Sequence, residues 1–390
     1  CTVQLTHGGR RERWDDAHWL PAFAPSRLRE LIHRSFPAEM EDHDIRRIVD
    51  DHAAAVRRAR DGDLDGVEIS MQAGTLIEQF WSPAMNCRTD GYGGALENRM
   101  RFGLEVLEAC RAAVGDDILI GIRMPGDEML KDGLTHDDCI AIAAAYAVSG
   151  LIDFISVVGA TAVDYQASAR IWPTMWLPSA PYLHLAAGSK AATGLPILHA
   201  TRITDAATAA YAIKEGLIDM VGMTRAFIAD PHHVQKLAEG RETEIRPCVG
   251  AGYCVDRVLM GKDALCLHNV ATGREASLPQ IVQPTSGARK RVVVVGGGPG
   301  GLEAARVARF TDEEWEAYIR AGMAIQDERG VRVVIHRDEA GNSPTIDSCV
   351  TTNYRGEFLV NGETFDQGNN ISFPLAQVID GWKIGLPLLS

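Results

Sequence analysis

Three cysteines stand close together in one stretch of the chain: Cys248, Cys254 and Cys266. Thiolates are soft ligands, and in a reducing compartment such a group points to metal or iron–sulfur binding rather than to disulfides. The residue midway between the first two is Ala251, where a C-x2-C-x2-C spacing would need a fourth thiol. A second chemical signal is Gly296-x-Gly298-x-x-Gly301. It follows four consecutive valines and precedes a helical stretch, the context in which such glycines let backbone approach a dinucleotide pyrophosphate. The other cysteines, Cys1, Cys87, Cys110, Cys139 and Cys349, are scattered and read as ordinary thiols.

The bulk properties narrow the partners. The net charge of −13 argues against nucleic acid or a membrane surface as a general partner, and leaves room for a small anion held by local arginines. No apolar run approaches the roughly 18 residues that span a bilayer. With no secretory signal in view, the expected compartment is the cytoplasm. The sequence opens at Cys1, directly into a strand, and is read as cut at its N-terminus.

To about residue 240, β-branched runs alternate with amphipathic helices. The runs are 2–6, 66–70, 118–124, 154–159, 196–200 and 219–224; the helices include 45–60, 97–114, 137–148 and 205–215. This alternation implies a parallel sheet flanked by helices. Six strands are visible where a TIM (β/α)8 barrel has eight, so the fold class expected is α/β, an incomplete barrel whose first two strands lie upstream of Cys1. A loop-like cysteine segment follows, then the glycine fingerprint. In the remaining tail, 310–326 is acidic and helical in pattern, 331–335 and 349–354 read as strands, and 356–371 as a turn and an Asn/Gly-rich loop.

The string Ser82-Pro83-Ala84-Met85-Asn86-Cys87-Arg88-Thr89-Asp90-Gly91-Tyr92-Gly93-Gly94-Ala95-Leu96-Glu97-Asn98-Arg99 resembles the loop after the fourth barrel strand in the old yellow enzyme family. It is most similar to the branch that contains trimethylamine dehydrogenase and 2,4-dienoyl-CoA reductase. The resemblance covers roughly 1–309 and implies a barrel that holds FMN. Gln4, in Gln4-Leu5-Thr6-His7-Gly8-Gly9-Arg10, matches the amide that faces the flavin pyrimidine. Arg123 matches the cation near the N1–O2 edge, where fixed positive charge favours reduced flavin. His199-Ala200-Thr201-Arg202 and Gly222-Met223-Thr224-Arg225 match the phosphate loops. Ala200, Thr201, Arg202, Thr224 and Arg225 are therefore the expected phosphate residues, although Thr201 stands where the family usually has Gly.

Two departures bear on the substrate. Enone-reducing relatives carry a pair of hydrogen-bonding side chains where this chain has Ser70 and Ala73; without strong donors, activation of a carbonyl loses its electrostatic term. After the run 154–159, the sixth strand of the full barrel by the resemblance, come Asp164-Tyr165 and then Trp172 and Trp176. The resemblance places these four over the flavin as candidate catalytic residues, the indoles able to hold a methylated ammonium by cation–π contact. By the same resemblance Cys248, Cys254 and Cys266 ligate an iron–sulfur cluster of which Ala251 withholds one thiolate, with Asp256 and His268 as candidate substitutes.

Gly296, Gly298 and Gly301 match the start of the branch's Rossmann domain, but no acidic residue follows at the usual distance. Asp338 lies too far on, so FAD or NAD(P) is expected only in an intact parent. The tail instead resembles a prolyl isomerase of the FK506-binding-protein type, whose apolar cup would be Tyr354, Phe365, Asp366, Phe373, Val378, Ile379 and Trp382, cut short at Ser390. The expected organisation is a barrel over 1–244, a cysteine segment and linker over 245–289, a Rossmann start over 290–309 and an isomerase-like fragment over 310–390. The resemblance implies oxidative N-demethylation of an N-methylated amino acid of the dimethylglycine or N-methylproline type, with an electron-transfer protein as acceptor and a homo-oligomeric parent. The rival readings are an NAD(P)H-dependent enoyl or dienoyl reductase, a peptide-binding isomerase module, and an inactive chimera.

Overall fold

The computed structural model describes residues 1–12, 21–278 and 280 in full and, of the remainder, the backbone of four strands. The chain divides into two compact units, Cys1–Gln280 and Ile281–Ser390.

The first unit is built on a parallel sheet of six strands: β1 (Thr2–Leu5), β2 (Gly66–Ser70), β3 (Leu119–Pro125), β4 (Phe154–Val158), β5 (Ile197–His199) and β6 (Met220–Val221). They neighbour one another in chain order, as repeated strand–helix units do. The central strands read as near-continuous apolar runs because both faces are covered. Val67, Ile69, Ile120, Ile122, Ile155 and Val157 are fully buried against the helices. On the other face the side chains alternate with these, and there Phe154 lies over Gly121, where an added Cβ would stand 2.2 Å from the ring.

The helices form where sequence pattern and caps agree. Helix α1 (Asp42–Asp61) buries Ile45, Ile48, His52, Val56 and Ala59 along one stripe, and Glu41 with Asp44 closes its N-terminus in a reciprocal capping pair. Helices α2 (Leu76–Trp81) and α3 (Leu96–Val114) follow β2. Thr135 caps α4 (His136–Val148) from its hydroxyl, Asp164 caps α5 (Tyr165–Ile171), α6 runs Leu183–Thr193, and Asp205 caps α7 (Ala206–Lys214). After β6 come α8 (Thr224–Ala229), α9 (His233–Ala238) and α10 (Tyr253–Leu259), the last inside the cysteine segment.

The six expected strands are all present. β6 is shorter than its apolar pattern implies, because Thr224 already opens a helix. The long Ser82–Arg99 string is structural. Asn86 donates to the Phe80 and Tyr92 carbonyls at 2.7 and 2.8 Å, Arg88 donates to the Met40 carbonyl at 2.8 Å and pairs with Asp90, and the Tyr92 hydroxyl donates to Glu105 at 3.1 Å. Gly93 has no alternative here, since a Cβ would stand 2.0 Å from the Arg88 carbonyl.

In the second unit, Cys349–Glu357 pairs antiparallel with Thr364–Pro374, and Ala324–Gln326 pairs with Arg332–Val334. Two expectations are corrected. Residues 324–326 form a strand rather than the end of a helix, and 364–374 is a strand through Asn369 and Asn370, where the sequence reads as loop. Antiparallel pairing supplies backbone partners that outweigh the low strand propensity of Asn and Gly.

Candidate active site

The loops at the C-terminal ends of the strands carry the polar side chains, as this architecture leads one to expect. A string of contacts crosses four neighbouring strands. Gln4 donates from Nε2 to Glu68 Oε1 at 2.5 Å, Glu68 faces Arg123 at 3.8 Å, and Arg123 donates from Nη1 to the Ser156 hydroxyl at 3.3 Å. Strand register explains the grouping: Gln4 pairs with Glu68, and Arg123 with both Ser70 and Ser156. The structure thus joins the two expected flavin residues, Gln4 and Arg123, and adds Glu68 between them. Glu68 was missed as a site residue; its place on the same strand face as Ser70 is the signal that would have found it. At the end of β5, His199 donates from Nδ1 to the Val157 carbonyl at 2.8 Å, which leaves Nε2 buried without a partner. Burial, with Arg123 nearby, lowers its pKa to about 4 and keeps the ring neutral.

The expected phosphate residues converge past β5 and β6. Gly222 passes so close to Ala200 that an added Cβ would stand 2.6 Å from the Ala200 methyl, which brings the two expected loops together. Thr201 is buried and Thr224 exposed. Arg202, held at φ +53°, donates from Nε to the Leu177 and Pro178 carbonyls at 2.9 and 3.1 Å, and its Nη1 is buried without a partner. Arg225 donates from Nη1 to the Pro173 carbonyl at 2.7 Å. An unpartnered buried donor at Arg202 and an unpartnered buried acceptor at His199 are what a bound phosphate-bearing heterocycle would satisfy, so the residues present fit FMN.

Past the strand ends lies an apolar cluster, with the buried Thr161 hydroxyl among it. Ala73 packs in one cluster with Val158, Ala160, Ala162 and Ile171, and Trp172 lies against it. Ala73 sits at φ +58° and Ser70 is buried, so the wall that would face a substrate carries neither a histidine nor an asparagine. The four candidate catalytic residues are not brought together. Asp164 Oδ1 accepts the Ala167 N–H at 2.7 Å and so serves as the cap of α5. Tyr165 and Trp176 are 73% and 90% exposed, which leaves Trp172 as the indole in the wall.

Behind this wall lie two acids that the sequence did not single out. Glu78 and Glu128 are completely buried. Glu78 accepts the Gly74 N–H, Glu128 accepts the Ser82 hydroxyl at 2.8 Å and the Leu134 N–H at 2.6 Å, and the two carboxyls are electrostatic neighbours. Burial first, and the neighbouring Glu128 second, raise Glu78 well above the usual carboxylate range. Burial pushes Glu128 up to about 7. Burial and a like-charged neighbour favour a proton on the pair.

Cys248, Cys254 and Cys266 open onto one small cavity, together with Ala251, His268 and Arg225. All three thiols are half-buried and none is in a disulfide. Among the described residues no three potential ligands are drawn close enough for a single metal ion. A cluster asks for less, because its own irons and sulfides lie between the thiolates, and three thiols around one cavity fit that demand. The cysteine loop is fastened to the aromatic loop: Met175 N–H donates to the Gly250 carbonyl at 2.8 Å, and a Cβ at Gly250 would stand 2.1 Å from the Arg202 guanidinium. Gly296, Gly298, Gly301, Val378, Ile379 and Trp382 lie outside the described residues, and for Tyr354, Phe365, Asp366 and Phe373 only the strand backbone is described.

The family profile of NADH:flavin oxidoreductases / NADH oxidases matches residues 1–244, and the chain belongs to that family. The match ends short of the tail and carries no support for its isomerase-like reading. The chain is 50% identical over 307 residues to an N,N-dimethylglycine/sarcosine dehydrogenase of Chromohalobacter salexigens, covering 78% of this chain and 44% of that protein. It is 48% identical over 306 residues to a probable N-methylproline demethylase of Rhizobium meliloti, covering 78% and 45%. Among solved structures, a 2-naphthoyl-CoA reductase superposes with a TM-score of 0.72 at 30% identity, over 78% of this chain and 48% of that one. The chain therefore spans less than half the length of the curated relatives it matches. The family is one of flavin-dependent oxidoreductases, and no helix among the described residues is long and apolar enough to cross a membrane.

Proposed function

We propose that this chain is the FMN-bearing part of an enzyme that oxidises the N-methyl group of an amino acid of the dimethylglycine or N-methylproline type. The observation that carries the reading is the apolar cluster around Ala73, which has Trp172 packed against it and neither histidine nor asparagine at positions 70 and 73. Such a wall suits N-methyl groups and an ammonium, and it lacks the pair of strong donors at positions 70 and 73 that would polarise an enone carbonyl. The names of the two demethylating relatives support the same chemistry.

Gln4, Arg123, Ala200, Thr201, Arg202, Thr224 and Arg225 would hold the FMN. When bound, FMN supplies a two-electron acceptor for hydride from the methyl carbon. Arg123, positioned beside Glu68, would place positive charge where it favours the reduced cofactor, Glu68 would moderate it, and neutral His199 adds no charge of its own. The apolar wall keeps water off the methyl group until oxidation is complete. Addition of water to the resulting iminium carbon then releases formaldehyde and the demethylated amine. An electron-transfer protein is the proposed acceptor.

The reading is tested by anaerobic mixing of the flavin-loaded chain with dimethylglycine, sarcosine or N-methylproline. Flavin bleaching with one formaldehyde released per flavin is expected. Bleaching by NAD(P)H, followed by reoxidation with an enone or a conjugated thioester and not with imines, would favour the reductase reading suggested by the 2-naphthoyl-CoA reductase likeness.

A further inference from the structure

His268 lies on the wall of the cavity shared by Cys248, Cys254 and Cys266. Its Nδ1 stands 2.9 Å from the carbonyl of Pro247, the residue directly before the first cysteine. A carbonyl can only accept, so Nδ1 carries the proton and the lone pair is on Nε2. That is how protein structures prepare an imidazole to ligate a metal: one nitrogen is anchored on a backbone carbonyl and the other is left to coordinate. Ala251, on the same wall, has no atom to offer a metal, and Asp256 is not among the residues that line the cavity. Arg225, also on the wall, is a cation and cannot ligate.

We infer that the segment holds a four-iron cluster through three thiolates and one imidazole, with Nε2 of His268 taking the place of the thiolate that Ala251 cannot supply. On binding, each of the three thiols gives up a proton to solvent, while the imidazole ligates in its neutral form. The cluster then carries one negative charge fewer than an all-cysteine one. Replacing thiolate by imidazole raises a cluster's reduction potential, which makes it the better electron acceptor. The inference is independent of which amine the flavin oxidises.

The test is anaerobic reconstitution of the full chain with ferrous iron and sulfide, removal of loose iron by a chelator, and counting of iron alongside electron paramagnetic resonance. Four proteins are compared: the parent chain, His268→Ala, Ala251→Cys, and the two substitutions together. Four irons are expected in the parent, with nitrogen hyperfine coupling in the reduced state. His268→Ala should fall to three irons, lose that coupling and show a paramagnetic oxidised state, and adding Ala251→Cys should restore four irons without the nitrogen coupling. Three irons in the parent, or four irons with an unchanged spectrum in His268→Ala, would remove His268 as a ligand. Failure of the parent and of Ala251→Cys alike to retain iron would overturn the site altogether.

Discussion

Arg225 lies between two chemistries: its guanidinium donates to the Pro173 carbonyl at 2.7 Å, beside the aromatic loop, while the same side chain lines the cavity of the three cysteines. Burial lowers its pKa, and the nearby thiols act against that. Arg225→Ala should reduce FMN retained after dialysis by about a hundredfold in affinity, the upper part of the range for one charged hydrogen-bonding group (about 2–3 kcal/mol). Arg225→Lys should recover part of this, because it keeps the charge and loses the fork. Flavin absorbance per chain reads the result; equal flavin in all three proteins would remove Arg225 from the phosphate site.

Glu68 stands between Gln4 and Arg123. Arg123→Met would leave that carboxylate without its cation at the place where reduced flavin develops negative charge. The flavin midpoint potential should fall, corresponding to about 2 kcal/mol against the reduced form. Glu68→Gln should move it the other way. Potentiometric titration of the two variants decides, and shifts of the same sign would contradict the pairing.

The Glu78–Glu128 pair predicts an alkaline weakness. With Glu128 raised to about 7, the folded chain holds more protons than the unfolded one between the ordinary carboxylate range and that value. Stability then falls as pH rises through this window, and the loss is complete above it. At roughly 1.4 kcal/mol for each pH unit of displacement, the loss is a few kcal/mol. Glu128→Gln keeps a buried hydrogen-bonding group without the charge, so its melting temperature should change less between about pH 5 and pH 8. Parallel melting curves for the two proteins would refute the proton on the pair.

Ala73 sits in the left-handed backbone region, which Asn tolerates better than most residues. Paired with Ser70→His, Ala73→Asn would place two donors in the apolar wall. Turnover of cyclohexenone should rise at least about tenfold, and N-demethylation should fall, since donor placement of this kind contributes about 1.4 kcal/mol or more to a developing oxyanion. Steady-state assays of both activities test this. An unchanged ratio would show that the wall does not set the reaction.

The strands were legible because burial on both faces forces runs such as Ile120–Met124 into one apolar pattern, and the cysteine cavity because soft ligands are rare enough to stand out when three occur together. Trp172 and Trp176 show where legibility stops. The two indoles are four residues apart and chemically identical, yet one joins the Ala73 cluster and the other is 90% exposed, a difference decided by loop packing alone. Glu78 and Glu128 were invisible for a related reason. Each reads as an ordinary solvated acid, and only the tertiary meeting of α2 with the loop after β3 makes them a pair.

The hydrogen bond from Met175 to the Gly250 carbonyl ties the cysteine loop to the loop that carries Trp172. Gly250 stands at φ +71° with the Arg202 guanidinium against it, so a bulkier residue would push on both loops at once. The cysteine cavity and the loop of Trp172 thus share one strut. On the function and cluster proposed above, filling the cysteines would press through that strut on the wall proposed to face the amine, and a cell's iron supply would then bear on its use of methylated amines.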